Sequence, residues 1–143
     1  MNQNPKKLSA ETEVIVRFSD CDALQMVWHG NYVQYFEDGR EDFGRKFELG
    51  YWDVYKKHGL AVPLTHLECD FKKFVTFGEK IKVETTLIDS PAAKIIFEYK
   101  IFNQKNELVC TGKTIQVFLH IEKKELMITM PPFFEAWKQK HLK

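Results

Sequence analysis

From Leu60 onward, apolar side chains return at every second position in four successive runs, and this period confines the back half of the chain to strands. Leu64 to Phe71 alternates with Thr65, Leu67, Cys69 and Phe71 on one face. After a turn at Gly78, Ile81, Val83, Thr85 and Leu87 alternate with Lys80, Lys82 and Glu84. A break at Asp89-Ser90-Pro91 leads to Ile95, Phe97, Tyr99 and Ile101, alternating with Lys94, Glu98 and Lys100. A turn at Asn103–Asn106 follows. Leu108 to Ile121 then reads as one long strand with a single apolar face from Val109 through Ile115, Val117 and Leu119. A turn at Glu122–Lys124, a short extended piece and Pro131-Pro132 precede an amphipathic helix, Phe133 to Lys140.

The front half follows a different period. Glu13 to Phe18 alternates as a strand, with Val14, Val16 and Phe18 on one face. Past a loop from Ser19 to Gly30, Tyr32, Phe36, Gly39, Phe43 and Phe47 recur at three- and four-residue steps, with Asn31 as the expected N-cap and Gly50 as the expected end. Gly39 and Gly44 each cost such a helix about 1 kcal/mol against alanine. Close approach of its backbone to a sheet is the expected compensation. Tyr51 to His58 reads as a shorter helix closed by Gly59. Strand, long buried helix, short helix and four antiparallel strands make an α+β architecture: one curved antiparallel sheet wrapped around a long central helix. The 143 residues suffice for a single domain spanning 1–143.

Composition narrows the function. A formal net charge of +1, with lysines dispersed along the chain, points away from nucleic-acid binding. The apolar runs are far too short for a membrane span. Cys21, Cys69 and Cys110 are odd in number and form no C-x-x-C pair, and the opening Met1-Asn2-Gln3-Asn4-Pro5-Lys6-Lys7 has no apolar core of an export signal, so a cytoplasmic setting is expected.

The chemistry concentrates between Arg17 and Arg40. Asp20, Asp22 and His29 lie in the loop that opens into the aromatic helix. There a carboxylate stands near helix N-terminal N–H groups able to polarise a carbonyl, an arrangement suited to acyl transfer. Asp22 is also readable as an Asx-turn residue that shapes the loop, and His29 as a capping or packing histidine. Asp20 is expected to shape the loop or pair with Arg17, and Glu37 with Arg40 to form an intrahelical ion pair. Carboxylates on both sides of Cys21 suppress its thiolate. No second His/Cys cluster completes a metal site with Asp20, Asp22 and His29, so none is expected.

The residues Asp20-Cys21-Asp22, Val27-Trp28-His29, Asn31-Tyr32 and Glu37-x-x-Arg40, taken with the element order, resemble the hot-dog fold acyl-CoA thioesterases, specifically the 4-hydroxybenzoyl-CoA thioesterase branch and its relatives near the Tol-Pal system. Residue identity is confined to 17–40; the order of elements extends the likeness along the chain. The resemblance implies an acyl-CoA thioesterase with Asp22 as nucleophile or general base, and a backbone N–H at the helix start, at His29, holding the carbonyl oxygen. It implies no cofactor beyond the coenzyme A of the substrate, and self-association as a homodimer or homotetramer with sites between subunits. Trp28, Tyr32 and Glu37 are expected to face substrate, and Lys72 and Lys94 to meet coenzyme A phosphates; Trp52, Tyr55 and Phe74 are further candidates for an acyl pocket. Where the family usually has glycine three residues after the second aspartate, this chain has Gln25, so its bend is expected to be made differently. Two other readings stay open: a hot-dog enoyl-CoA hydratase or dehydratase, whose Asp–His spacing and Gly-Asp-x-Asn lead-in this loop lacks, and a non-catalytic acyl-CoA or acyl-carrier binding module.

Overall fold

The computed structural model describes residues 4–142; Met1 to Gln3, part of the opening read above for an export signal, and Lys143 lie outside the described residues. In chain order the elements are β1 (Lys7–Ile15), a 3-10 turn (Phe18–Asp20), α1 (Asn31–Phe47), α2 (Tyr51–His58), β2 (Leu60–Ala61), β3 (Leu64–Phe71), β4 (Lys80–Ile88), β5 (Lys94–Phe102), β6 (Leu108–Val117), β7 (Leu119–His120), β8 (Glu125–Leu126) and α3 (Pro132–His141). The main sheet has order β1-β4-β5-β6-β3, with every neighbouring pair antiparallel. A small second sheet, β2-β7-β8, was not foreseen.

Helix α1 touches all five strands. Thr12 of β1 donates to Asp42 at 2.8 Å, a Cβ on Gly39 would meet Thr85 and Val83 of β4, Phe43 packs edge-on to Phe97 of β5, Phe36 stacks on Tyr99 at 4.5 Å, and Tyr32 meets Phe71 of β3 at 5.2 Å. Gly112 of β6 leaves room for the Phe36 ring. Strands lie about 4.8 Å apart, so a flat sheet of five is too wide for all of them to reach one helix. The sheet therefore curves around α1, which is the hot-dog arrangement. Gly39 thus has the compensation expected of it. Gly44 has a different one: its nearest neighbours are the Leu49 and Gly50 backbone, where the chain folds back after the helix.

Several boundaries moved. β1 begins at Lys7 and ends at Ile15, and Phe18 is an exposed member of the 3-10 turn rather than a strand residue. Gly30, not Asn31, caps α1, which ends at Phe47 with Glu48 in the left-handed region at φ 59°; Gly50 instead caps α2. The long last strand is broken at Phe118, and its inner face is the opposite of the one expected. Val109 is a bulge: the register steps from Ile101↔Cys110 to Phe102↔Leu108, so the extra residue switches the faces beyond it. Cys110, Thr114, Gln116 and Phe118 consequently point inward. The two polar members are satisfied there. Thr114 bonds Tyr99 at 2.7 Å, while Gln116 accepts from the Tyr51 hydroxyl at 3.0 Å and donates to the Val62 carbonyl at 2.8 Å. No helix among the described residues is long and apolar enough to cross a membrane.

Candidate active site

Within the Arg17–Arg40 segment, Cys21 to Val27 folds as a tight hairpin ahead of α1. Cys21 and Val27 form an antiparallel bridge, the Asp22 N–H donates to the Met26 carbonyl at 2.9 Å, and Gln25 N–H donates to the Asp22 carbonyl at 2.9 Å. Gln25 has φ 64°, a conformation that favours glycine, so the bend places a side-chain-bearing residue in the left-handed region. The link between β3 and β4 pins this hairpin: Val27 N–H donates to Val75 O at 2.8 Å and Thr76 Oγ1 donates to Gln25 O at 2.7 Å.

Asp22 is exposed, and its Oδ1 accepts the Leu24 N–H at 2.9 Å. This is the Asx turn that the sequence left as an alternative, and among the described residues Oδ2 has no partner. Asp20 is the hub of the loop. Its Oδ2 accepts the Arg17 N–H and the Tyr35 hydroxyl, both at 3.0 Å, and its carbonyl accepts the Trp28 N–H at 2.9 Å and the Asn31 side-chain amide at 2.7 Å. The Asp20–Arg17 pairing thus runs through the Arg17 backbone, not its guanidinium. The Cys21 thiol is pushed up first by burial and next by Asp20.

Around His29 an aromatic surface assembles. Its ring lies 4.9 Å from Trp28 and 6.4 Å, edge-on, from Phe71; Phe71 in turn meets Tyr32. Trp28 lies over Gly30, whose lack of a Cβ makes room for the indole. Tyr32 is buried, and burial, with Cys110 and Cys69 nearby, pushes its hydroxyl up to about 12, so it stays protonated at neutral pH. Among the described residues the His29 and Gly30 backbone N–H groups donate to no protein acceptor, although the Trp28 N–H before them and the Asn31 N–H after them both do.

The remaining predicted residues separate. Glu37 pairs with Arg40 within α1; Arg40 is only 6% exposed and lies 5.1 Å from the Tyr51 ring centre. Lys72, exposed, directly follows Phe71, and its N–H donates to Val109 O. Lys94 opens β5 opposite Val117, whereas the Asp22 hairpin borders the other end of the sheet; a nine-residue strand spans about 30 Å. Within one protomer it therefore stands apart from the Asp22 loop. Trp52 and Tyr55 stack on each other beside Leu60 to Pro63, away from the Asp22 loop, while Phe74 stands exposed next to Val75, which holds the hairpin. No contact among the described residues joins Asp22 to His29. Phe71 and Tyr35 escaped the sequence reading because their partners are 42 and 15 residues away.

Comparison with known proteins places the geometry in a family. The profile of the thioesterase-like superfamily matches residues 16–138. The putative acyl-CoA thioesterase YneP of Bacillus subtilis is 30% identical over 99 residues, covering 69% of this chain and 71% of its own. The 1,4-dihydroxy-2-naphthoyl-CoA hydrolase of Thermosynechococcus vestitus is 22% identical over 137 residues, 96% of this chain and 91% of that one. A crystal structure of the DHNA-CoA thioesterase from Staphylococcus aureus superimposes with a TM-score of 0.81 at 30% identity, over 92% of this chain and 90% of that one. The hairpin, the central helix and the sheet curved around it are thus those of a hot-dog protein, and this chain belongs to the thioesterase-like superfamily.

Proposed function

We propose that the protein is an acyl-CoA thioesterase that hydrolyses the thioester of a small or medium acyl-CoA to the free acid and coenzyme A. The observation that carries this reading is the unpartnered His29 N–H, one residue ahead of the α1 cap and on the same hairpin as the exposed Asp22. The N-terminal end of a 17-residue helix carries partial positive charge, which favours the oxyanion of a tetrahedral intermediate. Asp22 attacks the carbonyl or deprotonates a water that does so; the free Oδ2 serves either route. In the first, coenzyme A leaves as its thiolate and water then opens an acyl-aspartyl anhydride. In the second, water adds directly and the thiolate leaves from the tetrahedral intermediate.

Trp28, Tyr32 and Phe71 offer flat apolar faces to the acyl group, and Lys72 an exposed charge to coenzyme A phosphates. Within the superfamily, the residues of 17–40 favour the 4-hydroxybenzoyl-CoA and Tol-Pal-associated branch. The protein acts as a homodimer or homotetramer in this reading: β3 is a sheet edge, and Leu67 and Phe71 on it are exposed, Phe71 beside His29. The experiment is free-thiol release from aliphatic, benzoyl-type and naphthoyl-type CoA esters by wild type and Asp22→Asn. Hydrolysis that Asp22→Asn lowers at least 100-fold supports the proposal; absence of turnover on every ester, or full activity in the variant, refutes the function or the role of Asp22 respectively.

A further inference from the structure

We infer that Asp20 and Tyr35 are positioning residues that aim the His29 N–H, so that the rate of the acyl-transfer step depends on a hydrogen bond from the α1 interior to the loop. The inference rests on the thioesterase reading above. Its observation is that one residue binds both flanks of His29. The Asp20 carbonyl takes the Trp28 N–H at 2.9 Å on the residue before, and the Asn31 side-chain amide at 2.7 Å two residues after. Both lone pairs of that oxygen are therefore used on the segment that presents the free N–H.

Asp20 is itself anchored in two directions. Its Oδ2 receives the Arg17 N–H at the foot of the 3-10 turn, and the hydroxyl of Tyr35, both at 3.0 Å. Tyr35 is 2% exposed and packs edge-on to Tyr32 at 5.9 Å, so its ring is fixed by the core. The order of constraint runs from the buried helix face through the Tyr35 hydroxyl to Asp20, and from the Asp20 carbonyl to the Trp28 N–H just before His29 and the Asn31 side chain two residues after it. Asp22 is not in this chain. An oxyanion donor displaced by about 1 Å loses about 100-fold in rate, and the loop has few other ties to α1. Burial, reinforced by the Asp20 hydrogen bond, drives the Tyr35 hydroxyl upward, which keeps it a donor throughout the working range.

The test uses Tyr35→Phe, which deletes only the hydroxyl, and the pair Asp20→Ala and Asp20→Asn, in the full-length protein. Expected are a roughly 10-fold fall in kcat for Tyr35→Phe with KM within twofold, a larger fall for Asp20→Ala, and recovery of most of it in Asp20→Asn, whose amide oxygen still accepts from Arg17 and Tyr35. Amide exchange gives a readout independent of turnover: Trp28 N–H loses at least 10-fold protection in Tyr35→Phe and Asp20→Ala, while the β4 and β5 amides keep theirs. Unchanged kcat in both Tyr35→Phe and Asp20→Ala overturns the inference, as does Asp20→Asn matching Asp20→Ala. If wild type cleaves no thioester, the proposed function fails. The exchange experiment then still decides whether Tyr35 and Asp20 hold the segment, and unaltered Trp28 protection overturns that too.

Discussion

Gln25 donates its backbone N–H to the Asp22 carbonyl at 2.9 Å while holding φ at 64°, so the turn that presents Asp22 closes on a residue in a conformation costly for any side chain. Left-handed backbone costs a non-glycine residue about 1 kcal/mol or more. Among the described residues the Gln25 side chain makes no hydrogen bond to offset it. Gln25→Gly therefore stabilises the protein by about 0.5–1 kcal/mol after the extra freedom of glycine in the unfolded chain is subtracted, and raises the urea midpoint accordingly. Gln25→Val, β-branched, lowers it. Equal midpoints for all three proteins contradict the strain.

Gly39 shows the opposite economy. Alanine is the better helix former by about 1 kcal/mol, yet a Cβ there would sit 2.4 Å from Thr85 Oγ1 and 2.8 Å from Val83 Cγ1. Overpacking of this kind costs about 1–3 kcal/mol. Gly39→Ala is thus net destabilising in chemical denaturation, and a more stable variant would show that α1 can move off β4.

Gln116 joins β6 to α2 through Tyr51 and to the β2–β3 link through the Val62 carbonyl. Tyr51→Phe leaves Gln116 Oε1 buried without a donor, at about 1–3 kcal/mol. Gln116→Leu strands both the hydroxyl and the carbonyl, with a cost at least as large. Denaturation midpoints of the two single variants and the double variant check it: the double is less destabilised than the sum of the singles, because each single leaves a partner unpaired.

Asp38 lines an open groove of about 580 Å³ between β1 and α1. Burial raises its pKa above the ordinary aspartate value, against the opposing hydrogen bond from Gln34. The native state accordingly holds this proton more tightly than the unfolded chain does. The resulting stability is fully present below the unfolded pKa and is lost as pH rises through the folded one. Asp38→Asn removes that loss, so the variant gains on wild type as pH is taken from 4 to 7. Urea midpoints across this range test it, and parallel curves would refute it.

The role proposed for His29 separates ring from backbone. His29→Ala keeps the N–H, and its kcat falls less than 10-fold. His29→Pro removes the donor at a position just ahead of a helix, where proline is tolerated, and kcat falls about 100-fold or more. Circular dichroism confirms folding of both. Equal effects of the two substitutions would assign the function to the imidazole.

The strand and helix periods placed β3, β4, β5, α1 and α2 closely; β4, β5 and α1 each bury one face that the apolar residues mark, whereas β3, at the sheet edge, alternates although its apolar residues stay largely exposed. They failed at β6, where the bulge at Val109 reverses the alternation and Thr114 and Gln116 face inward against their polarity. A bulge is decided by its partner strands, here Lys72 and Lys73 N–H both donating to the Val109 carbonyl, and no local pattern announces it. The Arg17–Arg40 segment was legible as a site because its residue types and spacing are local. By itself the sequence determined the α+β class, the curved sheet on a long helix, and Asp22 and His29 as neighbours on one loop. Only the tertiary structure decided which atoms are free to act there. Asp22 Oδ1 is drawn into its own turn, Lys94 goes to the far end of the sheet, Phe71 comes beside His29, and the Asp20 carbonyl secures both flanks of the segment that presents the His29 N–H. Those outcomes depend on contacts between residues distant in the chain, which local periodicity does not encode.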